Sequence, residues 1–363
     1  MPAQGLGPLI APDPRKETMR HLTKILALAL VLAACGGDDQ AGTPESLTLI
    51  AHESFAEAVD EDTFAGFTDA TGITVKVLAS DDAGTLVNQA VLSKDNPLAD
   101  VLFGVDDTFL SRALDEGIFR AYQSENIDTV DAGLLREDDL VTPIDYGDVC
   151  FNYDKAWFEE NDVALPDDLD DLAADEFAGL VTVEHPATSS PGLAFLLATI
   201  DSYGEDGWRD WWERMRDAGV NVANDWNTAY YSDFTRYGGE TPVVMSYASS
   251  PPAEVIFAEE PTDVAPTGVI EAGCYRQVEY AGILEGTDYP ESAGELIDFL
   301  LSAEFQERIP LTWFVFPANQ DAELPTEFVE HTTIPTSPTR LSAEYIAENR
   351  DRWIDEWIEV MEG

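Results

Sequence analysis

Short apolar runs alternate with helical patterns from residue 47 onward, and this alternation is the sequence form of an α/β fold with a mostly parallel sheet. Leu47 to Ala51 reads as a strand, Asp62 to Ala70 as a helix closed by Gly72, and Ile73 to Ala79 as a second strand. Leu86, Val87, Ala90 and Val91 then give one apolar helix face, and Asp100 to Phe103 a third strand. A second set follows Asp145, with strands at Leu180 to Glu184 and Pro242 to Tyr247 and a helix from Gly192 to Tyr203. Around Val278 to Ile283 the chain returns to strand, then to helices at Ser292 to Leu301 and Ala303 to Ile309. Ile346, Trp353, Ile354, Trp357, Ile358 and Met361 fall at helical spacing, a stripe suited to docking on the body.

The N-terminus carries a targeting pattern that is set aside from fold reasoning. Arg20, His21 and Lys24 precede the apolar run Ile25 to Ala34, which is too short to span a bilayer. The run closes in Leu32-Ala33-Ala34-Cys35, which resembles a bacterial lipoprotein signal whose Cys becomes the lipidated first residue. Residues 1–34 are thus expected to be a signal segment, with Met19 as the alternative start, and residues 35–46 a polar tether. The expected anchor is a lipid on Cys35 at the outer face of the cell membrane, at the cell surface or in the periplasm, with no other membrane contact. The roughly 330 residues that remain exceed what one hydrophobic core usually covers, so two lobes are expected.

Charge excludes some partners. With 19 Lys and Arg against 71 Asp and Glu, the formal charge is −52, and such a surface repels nucleic acid and anionic lipid. It would attract a cationic ligand, although solubility at high salt or an acidic proteome is the simpler explanation of such a surface. Beyond Cys35 the chain has Cys150 and Cys274, and an even pair in an exported protein favours a disulfide over two buried thiols. Enzymatic signatures such as G-x-S-x-G, H-E-x-x-H and G-x-x-x-x-G-K-[ST] are missing from the sequence. His52, His185 and His331 are scattered, so no metal site, cofactor or catalytic residue is expected.

Ligands of open α/β sheets bind where strands give way to helices. Ser80 to Thr85 is one such junction and Pro186 to Gly192 another. The second offers free backbone N–H groups, a positive dipole end and Ser hydroxyls, which suit a phosphate or carboxylate; an ordinary N-cap is the alternative. Trp226, Tyr247 and the stretch Trp313 to Pro317 supply flat rings that could enclose a planar heterocycle, with a cation–π gain if it is charged.

From about Leu47 to Met361 the chain resembles the periplasmic thiamine-binding proteins of ABC importers. The stretches that carry the resemblance are Ser54-Phe55-Ala56, Asp82 to Asn88, Ala99 to Asp106, Asp145-Tyr146-Gly147 with Tyr153-Asp154-Lys155, and Thr188-Ser189 with Pro191-Gly192-Leu193. It continues through Trp226 with Ala229-Tyr230, Ser246-Tyr247 with Ser250-Pro251, Gln277-Val278-Glu279, and Ile309-Pro310. The resemblance implies a two-lobed type II periplasmic binding protein fold, each lobe a mostly parallel sheet flanked by helices. It implies lobe one at about 45–145 plus 277–330, lobe two at 149–273, and a C-terminal docking segment at 331–363. Cys150 and Cys274 would then lie at the two crossings between lobes. It also implies a cleft that takes thiamine or a thiamine phosphate at Asp82, Ala83, Ser189, Trp226 and Tyr247, with Trp313 or Phe314 as a further aromatic. His52 stands where a Tyr is usual, Val59 where a Trp can occur, and Ala253 where an aromatic can follow Ser-Pro. The implied partner is an ABC permease with a separate ATPase, served by a monomer.

Two other readings remain open. Tyr230-Tyr231 is similar to the adjacent tyrosines with which ferric-iron binders of this fold hold their metal. An extracellular thiamine-metabolising enzyme would need a nucleophilic Cys, for which Cys150 and Cys274 are the candidates, and a disulfide between them removes both. Replacing Cys35 by Ser is expected to release the protein from membranes, as read by fractionation; unchanged membrane association would refute the lipid anchor.

Overall fold

The computed structural model describes residues 42–258 and 260–363. The expected signal segment, Cys35 and the tether up to residue 41 lie outside the described residues. Among the described residues there are ten strands: β1 Ser46–Ala51, β2 Thr74–Ala79, β3 Val101–Asp106, β4 Phe119–Arg120, β5 Thr142–Asp154, β6 Val181–Glu184, β7 Asn221–Ala223, β8 Val243–Tyr247, β9 Thr267–Leu284 and β10 Phe316–Pro317. Eight of them form one path in the order β2-β1-β3-β9-β5-β8-β6-β7, while β4 pairs with β9 and β10 with β5.

Within this path β2, β1 and β3 are parallel, and so are β7, β6 and β8. The two parallel groups are joined by the antiparallel pair β5 and β9, in register from Thr142 opposite Ala281 to Asp154 opposite Thr267. The chain therefore crosses between the groups twice, within paired strands rather than loops. Cys150 and Cys274 lie in this pair at a register shift between Val149 and Phe151, with Cα atoms 4.5 Å apart, and form a disulfide.

Both faces of the first group are covered, which is why its strands read as continuous apolar runs. Leu47, Leu49 and Ala51 of β1 pack with Phe55, Phe67 and Leu296 on one face, and Ile50 packs with Leu86, Val87 and Leu102 on the other. The helix Ala83–Leu92 starts at Asp82, whose side chain caps Ala83 N. The helix Ala65–Thr71 ends at Gly72, which adopts φ 77° as the C-terminal stop.

Several boundaries differ from expectation. The helix expected to end at Tyr203 breaks there, with Gly204 at φ 69°, and then resumes to Asp217. The resumed turns bury Trp208, Trp211, Trp212 and Met215. Charged residues between these large rings hid that apolar face from a local reading. The strand expected at Val278 to Ile283 runs much further, from Thr267, because its N-terminal half pairs with β5. The segment Ala303 to Ile309 forms two short helices, Ala303–Gln306 and Ile309–Thr312, since Pro310 cannot continue the first. The C-terminal helix Ala343–Glu362 buries Ile346, Trp353, Ile354 and Trp357, with the Trp357 ring 5.4 Å from that of Trp212.

The disulfide closes a separation of 124 residues, and a cross-link of that span contributes about 2 to 4 kcal/mol. Replacing Cys150 and Cys274 by Ser is expected to lower the unfolding free energy by that amount, read as a lower denaturant midpoint with a slope equal to or steeper than that of the cross-linked protein, because the freed unfolded chain exposes more surface. Two alkylated thiols in the unreduced native protein would show that the bond is not made.

Candidate functional site

Where the two parallel groups face each other, a cavity of about 500 Å³ is lined from both sides. His52 lies just after β1 and Asp82 just after β2. Trp226 follows β7, and Tyr247 ends β8. Glu279 comes from β9, and Trp313 and Phe314 from the turn before β10. These are the carboxyl ends of the parallel strands and the crossing strand beside them, the usual ligand position in such sheets.

Aromatic rings form the walls. Trp226 stacks on Tyr230 at 5.1 Å and 13°, and its Nε1–H donates to Ser246 Oγ at 2.9 Å. Opposite, Trp313 lies edge-on to Phe55 at 5.0 Å and donates from Nε1 to Asp145 Oδ2 at 3.2 Å. Phe314 has φ 59°, a left-handed conformation uncommon for a bulky residue. This turn lets two consecutive rings line one cavity, where an extended chain would send them to opposite sides. The Tyr247 hydroxyl donates to Gln277 Oε1 at 3.3 Å across the β5–β9 crossing.

The polar groups are mostly carboxylates. Asp82 gathers donors from both sides: its Oδ1 accepts from Ala83 N at 2.7 Å and its Oδ2 from Trp226 N at 3.4 Å. Burial pushes its carboxyl up, against the pull of the Ala83 N–H, His52 and the Ser189 hydroxyl. Ser189 is fully buried, caps its helix by accepting from Gly192 N, and donates to Glu184. Burial, with Asp82 beside it, holds the Glu184 carboxyl well above its ordinary range. Just behind, Gly84 N donates to Thr188 O at 3.0 Å, and a Cβ on Gly84 would come within 2.5 Å of Ala187 O. Only glycine permits the two sides to approach this closely.

His52 accepts at Nδ1 from Phe55 N at 3.2 Å, which requires an unprotonated Nδ1. Its Nε2 faces Glu279 Oε1 at 3.6 Å. Burial lowers its affinity for a further proton, but Glu279, Asp82 and Asp106 together raise it above the ordinary value. Asp145 is pushed well up by burial and then by Glu279.

Of the residues expected from sequence, His52, Asp82, Trp226, Tyr247, Trp313 and Phe314 line this cavity, whereas Ala83 and Ser189 lie behind Asp82. Tyr230, Tyr231, Tyr237, Phe257 and Glu279 also line it. Glu279 stands in the Gln277-Val278-Glu279 stretch but its place in the cleft depends on strand register; the tyrosines needed the turn Thr228–Asp233 to bring them to the Trp226 ring. A second cavity of about 520 Å³ lies beside Tyr146, Arg276 and Arg340. Its guanidinium groups are engaged, Arg276 with Asp148 and Arg340 with Asp107 and Gly133 O.

Of the pair Tyr230-Tyr231, Tyr230 is buried and bonded to a carboxylate, whereas Tyr231 is exposed at the cavity wall. Tyr230 and Tyr237 both donate to Glu254 Oε1, at 3.0 and 2.7 Å, and burial first and then the adjacent carboxylate keep both phenols protonated. Among the described residues no three His, Cys, Asp or Glu side chains converge in a metal-binding group.

A family profile described as bacterial extracellular solute-binding protein matches residues 96–349. The thiamine-binding periplasmic protein of Escherichia coli (strain K12) is 31% identical over 283 residues, covering 78% of this chain and 83% of that one. A solved periplasmic thiamin binding protein superposes with a TM-score of 0.78 at 27% identity, over 87% of this chain and 96% of the other. Iron-bound HitA from Pseudomonas aeruginosa superposes with a TM-score of 0.71 at 20% identity, covering 87% and 99%, a likeness of fold alone.

Proposed function

The chain belongs to the bacterial extracellular solute-binding protein family, and on that premise we propose that its cleft takes thiamine or a thiamine phosphate and delivers it to an ABC permease with a separate ATPase. The observation that carries this reading is the combination of stacked aromatic walls with a lining whose ionisable side chains are His52, Glu57, Asp82 and Glu279 and several tyrosines, without Lys or Arg. Such a site suits a flat cationic heterocycle, through ring burial, cation–π contact and carboxylate charge. The name of the E. coli relative points to the same ligand.

In this reading His52, Asp82, Trp226, Tyr247, Trp313 and Phe314 meet the ligand. The backbone donors gathered on Asp82, from Ala83 and Trp226, are those a ligand phosphate would use in its place. The β5–β9 crossing would bend as the two sides close. The lipid on Cys35 would hold the protein, as a monomer, beside its permease. The pairing of Cys150 with Cys274 leaves neither as a thiolate nucleophile, which supports binding over catalysis.

Calorimetric titration with thiamine, its monophosphate and its diphosphate tests the reading, and failure to bind any of them would end it. Trp226→Ala is expected to weaken every member of the series by about 2 kcal/mol, since all share the ring. Ser189→Ala is expected to weaken the monophosphate by about 1 to 2 kcal/mol and thiamine by less. Equal losses in Ser189→Ala would mean that the phosphate lies elsewhere.

A further inference from the structure

The pairing register sets three carboxyl groups in one row across three adjacent strands. Glu279 of β9 stands opposite Asp106 of β3 on one side and opposite Asp145 of β5 on the other. All three are buried. Like charges in register on neighbouring strands oppose sheet formation, and buried charges without partners cost several kcal/mol more. A row of this kind persists in a stable sheet only if protons or a cation compensate it.

The groups that face the row do not supply that compensation in full. His52 Nε2 stands 3.6 Å from Glu279 Oε1 and has no hydrogen-bond partner. Protonating its Nδ1 would also remove the acceptor for Phe55 N. Gln277 Nε2 lies 3.4 Å from Glu279 Oε1, and Trp313 donates to Asp145 Oδ2, but both are neutral, and Asp145 Oδ1 is left without a hydrogen bond. Asp82 and the Tyr247 hydroxyl approach from the cleft side and add no positive charge. Arg340 is spent on Asp107 at 3.6 Å, and Arg350, near Asp106, is bonded to Asp351. Of the three acids in the row, Glu279 lines the cavity.

We propose that Glu279 is the counter-ion of the ligand's cationic ring, and that the ligand enters in exchange for a proton held among its neighbours Asp106, Asp145 and His52. The proposal rests on the reading of the cleft as a thiamine site. Its proton balance is simple: the cation occupies the place beside Glu279, one buried group gives up its proton, and that proton passes to the buffer. Burial, with the charge of neighbouring carboxylates, holds protons on Asp106 and Asp145 above the usual carboxylate range. A bound cation favours the deprotonated row and the neutral imidazole. Affinity therefore rises with pH while those groups are still protonated in the empty site, and by reciprocity each ligand bound releases a proton.

Calorimetry of the full chain with thiamine near pH 6.5, in two buffers of different protonation enthalpy, is expected to show net proton release approaching about one per ligand. Affinity is expected to rise by up to about tenfold per unit between about pH 5.5 and 7.5, where raised carboxyl and imidazole groups lose their protons. Glu279→Gln keeps the shape and is expected to weaken thiamine about tenfold or more, and to reduce proton release. A neutral thiophene isostere of the ligand should bind wild type and variant alike. Absence of proton release, or equal weakening of the charged and neutral ligands, would overturn the proposal while leaving the thiamine site in place. Failure of wild type to bind thiamine would instead overturn both. If Glu279→Gln does not fold, as judged by its melting curve, Asp145→Asn tests the exchange through its proton readout: reduced proton release with thiamine is expected, and unchanged release together with an unchanged pH profile would overturn it.

Discussion

Everything in this molecule hangs on the antiparallel pairing of β5 with β9. Each parallel group has its own helices and its own apolar cover, but neither contains a complete ligand site. β9 lends its later residues to the first group, where they pair with β3, and β5 lends its later residues to the second, where they pair with β8. Between these zones, Tyr146 to Val149 and Tyr275 to Val278 pair mainly with each other. A two-strand ribbon twists and bends more readily than a wide sheet, so this is where the two sides can move relative to one another. The disulfide at Cys150 and Cys274 keeps the ribbon from separating while leaving its bend free.

The same pairing explains the electrostatics of the site. A parallel group alone would place its strand ends against helix starts, with backbone N–H groups ready for an anion. Asp82 and Ser189 occupy two of those starts and already satisfy them. β9, inserted between β3 and β5, brings Glu279 into line with Asp106 and Asp145 and turns the cavity floor acidic. The cavity is therefore acidic where Glu279 and Asp82 reach it, and its two neighbouring helix starts are already capped.

Much of the fold was legible because local signals agreed with tertiary packing. β1, β2, β3, β6 and β8 follow from apolar runs, and the helix Ala83–Leu92 from the face of Leu86, Val87 and Ala90. The β5–β9 ribbon was less legible. Asp145, Asp148, Arg276, Gln277 and Glu279 interrupt its hydrophobic pattern, and their pairing is non-local, so only the register explains their presence. In the site, Trp226, Tyr247 and Trp313 were readable as rings near strand ends. The choice between Trp313 and Phe314 was not, because it depends on the left-handed turn at Phe314, which a bulky residue seldom adopts. The role of Ser189 was obscured for a similar reason: its hydroxyl is directed at Glu184, and nothing in the local sequence shows that an acid five residues earlier points back at the helix start.

The large negative charge of the chain gains meaning beside this geometry. Glu53 is pushed upward by slight burial and by Glu57, Asp81 and Asp225, acids that come from both sides of the cleft mouth. Bringing those sides together costs Coulomb energy, which the bridge from the neutral Asn227 Nδ2 to Glu57 Oε2, at 3.0 Å, cannot cancel. The Asp82 contact with Ala83 and Trp226 offsets part of that cost, and Gly84 permits the close approach it needs. A neutral guest would leave the remaining repulsion untouched. A cation held between the walls would reduce it from inside.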